Sequence, residues 1–121
     1  MKQNRFVLLV EDDHVDAMTV KRAFKDLKLT SCLEITGNGE EALGHLRDPD
    51  KNIPDIILLD LNMPRMNGLE LLKTIKKDTI LKRIPVVVMT TSTREEDKIN
   101  SFDLGVAGYM PKSMNYKKFI N

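Results

Sequence analysis

Short apolar runs alternate five times with stretches of helical period, and this alternation restricts the fold more than any other feature of the chain. The runs cover residues 6–10, 33–36, 56–59, 86–89 and 107–110. Those at 6–10, 56–59 and 86–89 are apolar at every position, as strands buried on both faces of a parallel sheet are. The run Leu33-Glu34-Ile35-Thr36 alternates instead and reads as an edge strand, exposed on one face. Between the runs, Ala17, Val20, Ala23, Phe24 and Leu27 form one helical stripe, with Asp13 at the N-cap and Asp16 at N3. Residues 40–46 suit a shorter helix with Ala42, Leu43 and Leu46 inward. Residues 68–77 suit a third, buried through Leu72 and Ile75. Ser92 and Glu95 have capping-box spacing and open a fourth helix, expected to pack through Ile99 and Phe102 and to stop near Gly105. A fifth begins at Asn115 and reaches Asn121 after about two turns. The expectation is a single α/β domain over residues 1–121: a doubly wound five-stranded parallel sheet with helices on both faces, the last helix short or truncated.

Composition narrows the function classes. At 121 residues the chain has the length of one domain, and 41% hydrophobic with 31% charged residues is a globular balance. Nineteen Lys and Arg against eighteen Asp and Glu give a net charge of +1, which supports neither a nucleic-acid binder nor an anionic-membrane binder. Cys32 has no intramolecular partner for a disulfide, and it cannot build a zinc site with His14 and His45 alone. The first apolar run is cut off by Glu11-Asp12-Asp13, short of the roughly 7–15 residues of a signal-peptide core, and no run approaches the roughly 20 needed to span a bilayer. These features suit a cytoplasmic domain.

In open α/β sheets, ligands bind beyond the carboxyl ends of the strands. Here the first strand runs into Glu11-Asp12-Asp13, the third into Asp60, the fourth into Thr90-Thr91 and the fifth into Lys112. Crowded carboxylates resist joint ionisation unless a cation sits among them, and Mg2+ takes hard oxygen ligands beside phosphate oxygens. A lysine and a hydroxyl facing that metal suit a phosphoryl group, so the chemistry suggested is phosphoryl transfer onto an Asp carboxylate. Taken singly, each residue has a plainer reading: Asp13 is a helix cap, Asp12, Asp60 and Lys112 are solvated loop charges, and Thr90 is a β-branched strand residue. Four strand ends delivering the set to one edge outweigh those readings.

At these residues the sequence resembles the response-regulator receiver domain of two-component signalling, from Phe6 to about Phe119. The match is carried by Leu8-Leu9-Val10-Glu11-Asp12-Asp13, by Asp60-Leu61-Asn62-Met63-Pro64-Arg65-Met66-Asn67-Gly68, by Pro85-Val86-Val87-Val88-Met89-Thr90 and by Gly105-Val106-Ala107-Gly108-Tyr109-Met110-Pro111-Lys112. The resemblance implies the flavodoxin-like strand order 2-1-3-4-5, and with few residues after Lys112 and no Arg- and Lys-rich DNA-reading helix the expectation is a stand-alone switch with no output domain. It implies Asp60 as phosphoacceptor, and Mg2+ held by Asp12, Asp60, the backbone carbonyl of Asn62 and Glu11, directly or through a water. Lys112 would pair with a phosphoryl oxygen, Thr90 would turn its hydroxyl to the phosphoryl group, and Tyr109 would change rotamer in response. The partners implied are a sensor histidine kinase or phosphotransfer protein and a downstream protein target of unknown identity. The signal would leave near the fourth helix and fifth strand; neither nucleic acid nor membrane is implied, and a homodimer is left open. Three positions depart from the family pattern. Ser113 follows Lys112 where proline is usual, Thr91 stands where a smaller residue is common, and the last helix is short.

Other functions are weighed against this one. A haloacid-dehalogenase-like phosphatase needs a second acid two residues after its nucleophile, and that position is Asn62, which exchanges no proton near neutral pH. The domain is therefore expected to be no enzyme beyond its own phosphorylation and dephosphorylation. A flavodoxin-like electron carrier needs phosphate-cradling loops and flanking aromatics, but the chain has no Trp, two Tyr and an acidic first loop. A phosphate-independent interaction module is the remaining alternative.

Overall fold

Aliphatic and β-branched residues fill both faces of the central strands, so the sheet needs a helical layer on each side. The structure is a computed structural model that describes residues 6–28, 33–61, 67–90 and 95–112, with the backbone alone for Thr90 and residues 95–97. Its elements run β1 (Val7–Val10), α1 (His14–Asp26), β2 (Leu33–Thr36), α2 (Gly39–Arg47), β3 (Ile56–Asp60), α3 (Gly68–Lys77), a 3-10 turn (Leu81–Arg83), β4 (Val86–Thr90), α4 (Glu95–Asp103) and β5 (Gly108–Pro111). All the strand pairs are parallel, in the order β2-β1-β3-β4-β5. This is the expected α/β architecture, and β2 is an edge strand with Glu34 exposed. The carboxyl ends of β1 and β3 are neighbours in register, Val10 beside Leu59, which brings the residues after both strands to one edge.

Strand alternation sorts the core into two layers. Leu8, Val10, Ile57, Leu59, Val86 and Val88 pack with Ala42, Leu43 and Leu46 of α2 and Leu71, Leu72 and Ile75 of α3. Leu9, Leu58, Val87 and Met89 point the other way, onto Ala17, Val20, Ala23 and Phe24 of α1. The α1 stripe is thus the expected one, with Leu27 half-buried at the helix C-cap.

Local chemistry fixes the helix ends near the site. Asp13 caps α1, accepting from the backbone N–H groups of Val15 at 2.8 Å and Asp16 at 3.1 Å. A capping box joins Asn67 and Glu70 at the start of α3. Gly105, at φ +83°, takes the left-handed conformation just beyond α4.

The expected packing of α4 requires correction. Ile99 and Phe102 are 52% and 48% exposed, whereas Ser101 is fully buried. The apolar pair has helical spacing, but the face turned to the core is the one carrying Ser101. The C-terminal turn supplies the apolar anchors, with Leu104 partly buried and Val106 buried against the α2–α3 layer. Phe102 instead lays its ring near that of Tyr109, with centroids 6.3 Å apart. The Ser92 end of the capping box, the fifth helix at 115–121, and Thr91 and Ser113 lie outside the described residues. No helix among the described residues is long and apolar enough to cross a membrane.

Candidate functional site

Three strand ends meet at this edge. Glu11 continues β1 by one residue, its N–H donating to the carbonyl of Thr36 at 2.9 Å, so the residue at the mouth of the sheet is tied to the end of β2. Asp60 ends β3, and Lys112 directly follows β5. Glu11 and Asp60 are each only 2% exposed, while Asp12 stands in solvent.

Glycine at position 68 lets α3 start directly beneath Asp60. A Cβ there would lie 2.5 Å from both the Asp60 carbonyl oxygen and the Leu61 Cα, and the Gly68 N–H donates to the Leu61 carbonyl at 3.0 Å. The backbone around Asp60 is thereby clamped between the sheet and a helix N-terminus.

Charge organises the rest. Lys112 Nζ lies 2.8 Å from Glu11 Oε1, 2.7 Å from Asp16 Oδ2 and 3.4 Å from Asp60 Oδ2. The lysine side chain is only 9% exposed. Burial works against its charge, but the hydrogen bonds to Asp16 and then Glu11, with the charge of Asp60, outweigh that and hold the ammonium above its ordinary pKa. Burial pushes the Glu11 carboxyl up to about 7; Lys112 opposes this rise and Asp60 reinforces it. The second oxygen of Glu11 accepts the Asp13 N–H at 3.1 Å.

Glu11, Asp12 and Asp60 each bring one carboxylate oxygen within 4.8 Å of the other two. Hard oxygen donors converging this closely, two of them enclosed, suit a hard divalent cation. Glu11, Asp12, Asp60 and Lys112 therefore come together as expected. Thr90 ends β4 beside Pro111, by backbone register. Tyr109 is half-buried in β5 with its ring near that of Phe102. Asn62 lies outside the described residues.

Asp16 is the residue that sequence reasoning missed. Its place at N3 of α1 is the expected one, but its carboxylate turns to Lys112 rather than back to the helix N-terminus. The available signal was its position one turn into a helix that starts at the Glu11-Asp12 strand end.

Comparison with known proteins gives the family and the fold. The family model described as the response regulator receiver domain matches residues 7–121. The response regulator Rcp1 of Synechocystis sp. is 41% identical over 117 residues, covering 93% of this chain and 80% of Rcp1. A crystal structure of its Mn2+-bound form superposes with a TM-score of 0.82 at 40% identity, over 94% of this chain and 85% of that one. The phosphorylated cyanobacterial phytochrome response regulator RcpA gives a TM-score of 0.87 at 38% identity, covering 96% and 86% of the two chains. The probable methanogenesis regulatory protein FilR2 of Methanothrix harundinacea is 38% identical over 114 residues, spanning 92% of this chain and 74% of FilR2. A parallel sheet in this order, carboxylates gathered at the ends of its first and third strands, a lysine after the fifth and a family match from the first strand onward lead to one conclusion: the chain belongs to the receiver domain family of two-component response regulators.

Proposed function

We propose that this receiver is a phosphoacceptor switch in which Asp60 takes a phosphoryl group from a histidine kinase, a phosphotransfer protein or a small phosphodonor. The observation that carries the reading is the enclosure of Asp60 at 2% exposure, with Lys112 Nζ 3.4 Å from its Oδ2 and with Glu11 and Asp12 in the same cluster. A carboxylate oxygen of Asp60 would form the new P–O bond as the donor's bond to phosphorus breaks, the leaving group departing with the electron pair. Mg2+, when bound, would supply positive charge to offset the carboxylates and the phosphoryl oxygens. Glu11, Asp12, Asp60 and the carbonyl of Asn62 would hold it. Lys112 would donate to a phosphoryl oxygen, and Thr90 would offer its hydroxyl.

The adduct would persist as a signal, because Asn62 offers no acid–base group to turn it over. The domain would then be a switch rather than an enzyme with a separate substrate. Tyr109, in ring contact with Phe102, would carry the change toward the exposed α4–β5 surface, where a protein partner would read it. Intact-protein mass spectrometry after acetyl phosphate treatment tests the reading. One phosphoryl adduct is expected with Mg2+, and none in excess EDTA or in Asp60→Asn. Undiminished labelling of Asp60→Asn would contradict it.

A further inference from the structure

We infer that Asp16 is a positioning residue: it holds Lys112 against the first turn of α1 before phosphorylation and competes with the phosphoryl group for it. The inference rests on Asp60 being the phosphoacceptor. Its geometric basis is the three carboxylates around one ammonium, of which Asp16 makes the shortest contact at 2.7 Å and Asp60 the longest at 3.4 Å.

A lysine ammonium has three N–H donors, and here three carboxylates face it. A phosphoryl group on Asp60 carries about 1.5–2 negative charges in place of the carboxylate's single charge, and it takes over from Asp60 as an acceptor for the ammonium. The phosphoryl oxygens stand farther out than Asp60 Oδ2, so to close on one of them Nζ has to leave one of its two short contacts, at 2.8 Å to Glu11 and 2.7 Å to Asp16. The Glu11 side chain is completely enclosed, so stripping it of its cation would leave a buried carboxylate poorly compensated. The Asp16 side chain is 34% exposed and regains water when released. Asp16 is therefore the partner that gives way. Its carboxylate favours the resting position of Lys112 and lowers the fraction of phosphorylated molecules in which the lysine has moved across.

This role differs from that of a general negative charge near an anion site. Asp13 lies in the same turn of chain and is also exposed, but its side chain caps α1. Asn is as good an N-cap as Asp, so Asp13→Asn removes a charge without removing the cap.

Two measurements decide the matter. In the metal-free, unphosphorylated protein, the side-chain 15N signal of the Lys112 ammonium should show slow hydrogen exchange that is lost in Asp16→Asn. Unchanged exchange would overturn the resting pair, independently of any phosphoryl chemistry. Beryllofluoride, a phosphoryl mimic, is then titrated with Mg2+ present and followed by amide shifts. Asp16→Asn should bind it about fivefold more tightly than the unmodified protein, the effect of releasing one partly exposed ion pair. Asp16→Glu should restore the original affinity, and Asp13→Asn should leave it unchanged. Equal or weaker binding by Asp16→Asn, or equal tightening by Asp13→Asn, would overturn the competition. Absence of beryllofluoride binding by the unmodified protein would overturn the phosphoacceptor reading, and this inference with it.

Discussion

The two sides of the strand-end edge are built differently. Around β1, β3 and α1 the innermost charges are enclosed while Asp12 stays in solvent: Glu11 and Asp60 are each 2% exposed, and Lys112 ties the end of β5 to α1. Around α4 the helix shows Ile99 and Phe102 to solvent and leans on the core through Leu104 and Val106 at its C-terminal end. Among the described side chains, Asp60 thus stands between a closely packed edge on one side and a helix with few buried apolar anchors on the other. Local stability follows buried apolar contact, so α4 is expected to change shape more readily than the backbone around Asp60.

Substitutions should separate these regions by size of effect. Leu72 of α3 is fully buried in the layer shared with β1 and β3. Leu72→Ala should destabilise the fold by about 2–5 kcal/mol in chemical denaturation, through lost transfer energy and the cavity left behind. Gly68→Ala comes next. Its Cβ would meet Asp60 and Leu61 backbone at 2.5 Å, which neither can easily yield. A loss of about 1–3 kcal/mol is expected, with weaker metal binding because the backbone carrying Asp60 must shift.

A pH effect of intermediate size marks the stiff side. The folded state keeps a proton on Glu11 between 4.5, the ordinary value, and about 7, where the unfolded chain has released it. The contribution of this group to metal-free stability is thus full below 4.5 and is lost as pH rises toward 7. Metal binding needs the carboxylate, so affinity should rise with pH by up to about tenfold per unit and level off above about 7. Isothermal titration calorimetry across this range checks the slope, which should flatten in Glu11→Gln. The smallest effect belongs to the other side: Phe102→Ala, at a site 48% exposed, should change stability by less than about 0.5 kcal/mol while altering the Tyr109 ring environment. A loss as large as that of Leu72→Ala would erase the contrast.

The same contrast explains what the sequence revealed. Leu8, Leu58 and Val87 belong to runs apolar at every position, and a parallel sheet is the structure that buries such runs on both faces. Once the strands were placed, the ends of β1 and β3 and the chain after β5 brought Glu11, Asp60 and Lys112 together without any need to know side-chain contacts. Asp16 was hidden because an acid at N3 of a helix has a sufficient local explanation. The direction of α4 was hidden for another reason. Ile99 and Phe102 give the right period, but period alone does not say whether an apolar face meets the sheet or a partner.

The central claim is that phosphoryl chemistry at the enclosed side is expressed at the loosely anchored side. Amide chemical shifts of the Mg2+-loaded protein, with and without beryllofluoride, test it most directly. Beyond the immediate surroundings of Asp60, the largest changes should fall in α4 and around Tyr109, and they should shrink in Thr90→Ala while beryllofluoride still binds. Changes confined to residues 11–16 and 58–61, with α4 unmoved, would contradict the account.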